Sequence, residues 1–296
     1  MVLLKRHSVF SLLLALFILH GMSFSKSGIE ILIAGGDSLR SQGLYEQAVI
    51  EYQRALFFSI EPQNNFQAKF KLGETYQGAN DLPRAVTAYE DAVQSAPNDS
   101  MKDEASLALA SAYLLSGETN LAQLTLIPYL GDESNGNNQA LLLSITAEIM
   151  NRNWSQADIL IERLRGRSTD QDTLVKNLHA LLQEAIEEEP LDPELAKLYS
   201  TIIPGAGQFY AGDIKNGLNA FAFNGFNIWV IVNNVIQTDY ISAALYAAVV
   251  AERYYFGNRY RAEQITQEKN REREKAIAAK ALNSLLKIAK LDRDKN

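Results

Sequence analysis

Between residues 28 and 165 the apolar positions recur at three- and four-residue spacing, the mark of helices that each bury one face. A longer period lies on top of this one. Gly36, Gly73 and Ala110 stand 37 residues apart, and so do Leu39, Tyr76 and Tyr113. Ala48, Ala85 and Ala122 keep the same spacing, as do Tyr52, Tyr89 and Leu126. Gly43, Asn80 and Gly117 fall between the two halves of each unit. Each unit therefore reads as two helices joined by a turn. Small residues stand where the helices approach closely, and aromatics fill the space between neighbours. In the second unit Phe66, Phe70, Gly73 and Tyr76 line the first helix, and Gly78 to Asp81 make the turn. Pro83 sits near the start of the next helix, where its missing N–H costs nothing. Ala85, Tyr89, Ala92 and Val93 form the second helix's buried stripe, which Pro97-Asn98 ends. A further helix, expected over Asp170–Glu188, could cap the stack.

Residues 66–99 resemble a tetratricopeptide repeat, with Leu72-Gly73, Tyr76, Ala85, Tyr89, Ala92 and Pro97 at the family's spacing. Lys69 stands where the family has a large aromatic, with Phe70 beside it. The resemblance extends, weakening along the chain, over about 28–165. The unit at 29–62 keeps Gly36, Ala48, Tyr52 and Ala55, and that at 103–132 keeps Tyr113 and Ala122. The unit at 138–165 keeps chiefly Ala157. It implies an all-α solenoid of helical hairpins over 28–190 whose concave face holds a peptide or protein. By register the inward positions are Asp37 and Arg40, Glu74 and Gln77, Ser111 and Leu114. The aromatics of the repeat are expected to be core.

After Pro190 and Pro193 the pattern changes. Residues 204–212 read Pro-Gly-Ala-Gly-Gln-Phe-Tyr-Ala-Gly, and Gly217 follows. Gly217 to Ile236 contains no charged residue, and Tyr240–Ala251 is a second apolar run followed by Glu252-Arg253 and Tyr254-Tyr255-Phe256. The first run has the length of a membrane-spanning helix. It also carries Asn219, Asn224, Asn227, Asn233 and Asn234, which are costly against lipid unless they face a partner. The expectation is a two-helix membrane region over 191–262, meeting lipid or other membrane helices through 217–256; a buried soluble hairpin is the alternative. Pro204, Gly205, Gly207, Gln208, Tyr210, Gly212 and Gly217 resemble the opening of TM2-type domains and of bacterial relatives beginning Pro-Gly-x-Gly-Gln-x-Tyr-x-Gly. That resemblance implies two membrane helices joined by a short turn, here Gln237-Thr238-Asp239, and brings no chemistry with it. The same glycines do not make a dinucleotide fingerprint, because Tyr210 stands at its third glycine and a helix precedes it. From 263 to 296 a basic amphipathic helical tail is expected. Ile277, Ala281, Leu285 and Ile288 share one face, suited either to an anionic lipid surface or to packing on the rest of the chain.

Charge and composition narrow the function. The chain has 296 residues and a net charge of −7. Residues 27–200 carry 12 basic and 26 acidic side chains, whereas 253–296 carry 12 basic and 6 acidic. An acidic body argues against nucleic acid, and it predicts that Asp37 and Glu74 attract a basic or mixed segment of the partner. There is no cysteine and there are three histidines, His7, His20 and His179. No catalytic, metal or cofactor site is expected, and Glu187-Glu188-Glu189 reads as a solvated helix end. Lys5-Arg6-His7, the apolar run Val9–Leu19 and the small residues Ser23 and Ser25 make residues 1–25 a signal peptide by pattern, with an uncleaved anchor as the alternative. The expected protein is a non-enzymatic adaptor, exported to the cell envelope with its repeats in the periplasm. The repeats bind a protein and the C-terminal hairpin holds it at the membrane. The alternative is an accessory subunit of a membrane transport or assembly complex, acting through the hairpin.

Overall fold

The computed structural model describes residues 26–131, 137–165 and 172–293, so the expected signal peptide lies outside the described residues. Every regular element is helical, and no strand occurs among the described residues. Among the described residues, those from 26 to 176 together with 285–293 form one compact unit, and residues 177–284 form another.

The first unit begins with α1 (Lys26–Ser41), α2 (Tyr45–Phe58), α3 (Pro62–Gly78), α4 (Leu82–Ser95), α5 (Asp99–Ser116), α6 (Thr119–Leu130), α7 (Asn138–Met150) and α8 (Trp154–Arg165). Each of these packs on the next, and α1 also meets α3 and α5 meets α7. The helix ends are written in the sequence. Asp81 accepts from the Arg84 amide at 3.3 Å, Asn98 from Met101 at 3.0 Å and Asn137 from Gln139 at 2.8 Å, each giving an acceptor to an orphan N–H of the first turn. Gly43, Asn80 and Gly117 take φ of 75°, 60° and 82°, the left-handed conformation that turns the chain back between the two helices of a pair. That geometry accounts for the Gly/Asn column at the 37-residue period.

The other columns are packing devices. Ala48, Ala85 and Ala122 are fully buried. A Cβ on Gly36 would come within 2.6 Å of the Tyr52 ring, and one on Gly73 within 2.6 Å of the Tyr89 ring. In the third pair the smaller Leu126 replaces the tyrosine, and Ala110 replaces the glycine; both are fully buried in one cluster. The space between the two helices of each pair is thus filled by a constant sum of side chains.

The second unit takes in most of α9 (Asp172–Glu187), then α10 (Pro193–Ile202), α11 (Ala206–Tyr210), α12 (Ile214–Ile236) and α13 (Tyr240–Tyr246). A π-helical turn, Ala247–Ala251, leads without a break into α14 (Glu252–Arg293). Asp192, Asp213 and Asp239 cap α10, α12 and α13. Thr238, at φ 64°, turns the chain between α12 and α13. The tail expected from residue 263 is part of this long helix. Its apolar face is covered: Ala281, Leu285 and Ile288 are buried, so it is not offered to a lipid surface.

The expectation of a transmembrane helix is overturned. Among the described residues no helix is long and apolar enough to cross a membrane. The uncharged run in α12 is diluted by its five asparagines. The second run is α13, of 7 residues, and a π turn, before Glu252-Arg253 begin a charged helix. The asparagines instead partly face inward. Asn224 and Asn227 are buried, and the Tyr246 hydroxyl donates to Asn227 Oδ1 at 2.7 Å. Phe221, Phe223, Phe226, Trp229, Ile236 and Ile241 stand outward and exposed.

Candidate protein-binding site

Four of the six residues placed by register on an inward face lie at the contact of the first two helix pairs. Arg40 Nη1 is 3.0 Å from Glu74 Oε2 and its Nη2 is 3.7 Å from Asp37 Oδ1, so one guanidinium from α1 joins both carboxylates. Lys71, one turn before Glu74 on α3, closes the ring at 3.0 Å from Glu74 and 3.7 Å from Asp37. The Tyr52 hydroxyl donates to Asp37 Oδ1 at 2.7 Å, and the Tyr89 hydroxyl donates to Gln77 Oε1 at 3.2 Å. All four charged side chains are half-buried, a setting in which a network outweighs an isolated surface pair.

The third pair does not continue this surface. Ser111 is half-buried with its neighbours Ala110 and Ala112 in the core, and Leu114 is only 6% exposed within the cluster that holds Ala122 and Leu126. Leu114 is therefore a core residue. The first helix of this pair, α5, is apolar on more than one face, and register carried over from the earlier pairs does not show that. Three contributors escaped the sequence reading. Lys71 had a visible signal, its position three residues before Glu74. The hydroxyls of Tyr52 and Tyr89 had none, because the rings are core and only their tips reach the polar strip. The strip is also less acidic than Asp37 and Glu74 alone suggest, since Arg40 and Lys71 balance them.

These phenols make stability depend on alkaline pH. Burial first, and then the bond to Asp37, raises Tyr52 above the ordinary value near 10. Burial and the charge of Glu74 raise Tyr89. Burial, followed by the bond that Tyr113 donates to Glu90 at 2.6 Å, pushes Tyr113 up to about 12. A raised folded pKa means that the unfolded chain releases its proton first. Stability is therefore intact below about pH 10 and falls as pH climbs from about 10 through 12. Urea midpoints measured from pH 8 to 12 should show that fall, and Tyr113→Phe should make it shallower.

The Pro/Gly motif of the second unit is a packing and capping element. Gly205 takes φ 97° next to Pro204, and a Cβ there would strike the Gly217 carbonyl. A Cβ on Gly207 would overlap the Ala196 carbonyl, and its N–H donates to Ser200 Oγ at 3.0 Å. A Cβ on Gly217 would meet the Phe209 ring at 2.8 Å. Gly212, at φ 76°, turns the chain from α11 towards α12. The Tyr210 hydroxyl accepts from the Asp192 amide at 3.0 Å. Gln208, almost fully buried, accepts from Ser200 Oγ at 3.0 Å and donates to Asn258 Oδ1 at 2.6 Å. Asp213 is held below the usual carboxylate range by Asn216, whose side-chain and backbone N–H groups both donate to it.

Among the described residues no three acidic or histidine side chains converge as metal ligands. The acidic run at 187–189 is engaged: Arg273 is 3.1 Å from the Glu188 carboxylate and donates to the backbone carbonyls of Glu188 and Glu189. Among known protein families and curated proteins, none matches this chain.

Proposed function

We propose that the protein is a non-enzymatic, exported adaptor whose first unit is a tetratricopeptide-like array. Its polar strip around Arg40 and Glu74 holds a protein partner. The observation that carries the reading is the convergence of Asp37, Arg40, Lys71, Glu74 and Gln77, from two helix pairs, on one half-buried strip. Core packing does not require these residues there. Balanced charge on the strip favours a partner segment of mixed sign, which can exchange ion pairs with it one for one. The exported location rests on the leader pattern of residues 1–25.

A second reading has its own support. The apolar side chains exposed along α12 and α13 form a surface of the kind that marks an interaction site. An accessory subunit of a transport or assembly complex would use that surface to pack on helices of other subunits.

The test uses the full chain, immobilised and exposed to an envelope extract, and compares it with Arg40→Glu/Glu74→Arg. The swap keeps an ion pair between the two positions but sets like charges beside Asp37 and Lys71, so binding is compared at a temperature where the thermal melt shows both chains folded. A specific partner should lose at least about tenfold in affinity on the swap, and Trp229→Ser on α12 should leave its binding intact. Capture that ignores the swap and fails with Trp229→Ser would transfer the function to the hairpin.

A further inference from the structure

The second unit holds a cavity of about 780 Å³ between α11, α12, the π turn and the start of α14. The size suits a small ligand. Two guanidiniums, Arg253 and Arg261, stand at its wall, and no acidic side chain lines it. Asn258 lies deeper, 7% exposed. Its Oδ1 accepts from Gln208 at 2.6 Å, which fixes the amide's orientation, and its Nδ2 is buried with no hydrogen-bond partner. A buried unpaired donor costs stability unless something accepts from it. The lining also offers apolar surface. Phe223 and Tyr254 stack with centroids 6.0 Å apart and planes 5° from parallel, and Val249, exposed, lines the cavity too. The π turn that carries Val249 and Val250 interrupts the helix at this wall, a local irregularity found frequently at functional sites.

We infer that this cavity binds a small amphiphilic anion: a phosphate- or carboxylate-type head against Arg253, Arg261 and the free amide of Asn258, with an apolar tail along Phe223, Tyr254 and Val249. The guanidiniums supply charge-assisted bonds of the kind that hold such heads. The site lies wholly in the second unit and does not depend on what the repeats bind.

The test is calorimetric titration of the full chain with three probes: octyl phosphate below its micellisation concentration, inorganic phosphate, and octyltrimethylammonium. The first carries head and tail, the second the head alone, and the third the tail with opposite charge. Octyl phosphate should bind at least about tenfold more tightly than either of the others. Arg253→Gln/Arg261→Gln should weaken it at least about tenfold, the scale of a lost charge-assisted contact. Both arginines are exposed, so this variant keeps its fold. Asn258→Asp, which keeps the acceptor for Gln208 and places a carboxylate oxygen where the free donor was, should also weaken it. Octyl phosphate binding that is undiminished in the arginine variant, or no tighter than octyltrimethylammonium, overturns the anion site. Inorganic phosphate binding as tightly as octyl phosphate overturns the amphiphile and leaves a free-anion site.

Discussion

Tyr89→Leu lowers the stability of the chain by about 3 kcal/mol, and adding Gly73→Ala returns about half of that loss. The first figure is the usual cost of hollowing a packed site, together with the lost hydroxyl bond to Gln77. The recovery comes from copying the third helix pair, where Ala110 and Leu126 occupy the same places. Gly73→Ala alone gains roughly 1 kcal/mol of helix propensity but places its Cβ 2.6 Å from the Tyr89 ring. The single substitution is therefore unfavourable by about 1 kcal/mol, while the same substitution made on top of Tyr89→Leu is favourable. Chemical denaturation of the four chains closes a cycle with a coupling of about 2.5 kcal/mol. Simple additivity would show that the constant-volume relation between these columns is accidental.

Gly207→Val has the largest local effect, about 4 kcal/mol on the second unit. Its Cβ would fall on the Ala196 carbonyl, a backbone atom that cannot rotate away as a side chain does. The substitution must part α11 from α10, breaking the bond from the Gly207 amide to Ser200 and loosening Gln208 behind it. Losses of that size are rare and come from a short list of causes, overpacking against fixed atoms among them. Hydrogen exchange should show amides of 193–210 losing protection while those of α1–α6 keep theirs. Uniform loss across the chain would mean that the two units unfold as one.

What the sequence told in advance was local. Helix ends, caps and left-handed turns depend on residues within four positions of one another, and Asp81, Asn98 and Gly117 announce them. The small-residue columns were legible because the 37-residue period repeats the same contact three times. The polar strip was legible in part. The period brings Asp37 and Glu74 into one column, but nothing in it says that Arg40 reaches across to Glu74, or that Leu114 sinks into the core. The C-terminal region misled because the absence of charge was weighed above the amides: a run with no Lys, Arg, Asp or Glu still carries five asparagines, and they dilute it. The cavity was illegible, since its key bond joins Gln208 to Asn258 across 50 residues with no repeat to flag it.

The π turn at Ala247–Ala251 holds one more residue than an α-helical turn would need over the same path. Each residue of an α-helix advances the azimuth by about 100°, and the wider π turn absorbs the extra residue, so everything after it keeps nearly the phase relative to α13 that a regular helix one residue shorter would have. Relaxing the turn to regular helix with every residue kept would instead rotate Asn258 by roughly a quarter turn relative to Tyr246. The partner of Asn227 and the partner of Gln208 could then no longer face the same side of the hairpin. The surplus residue is thus taken up locally, and deleting Val249 should leave both hydrogen bonds in place while the segment closes to regular α-helix.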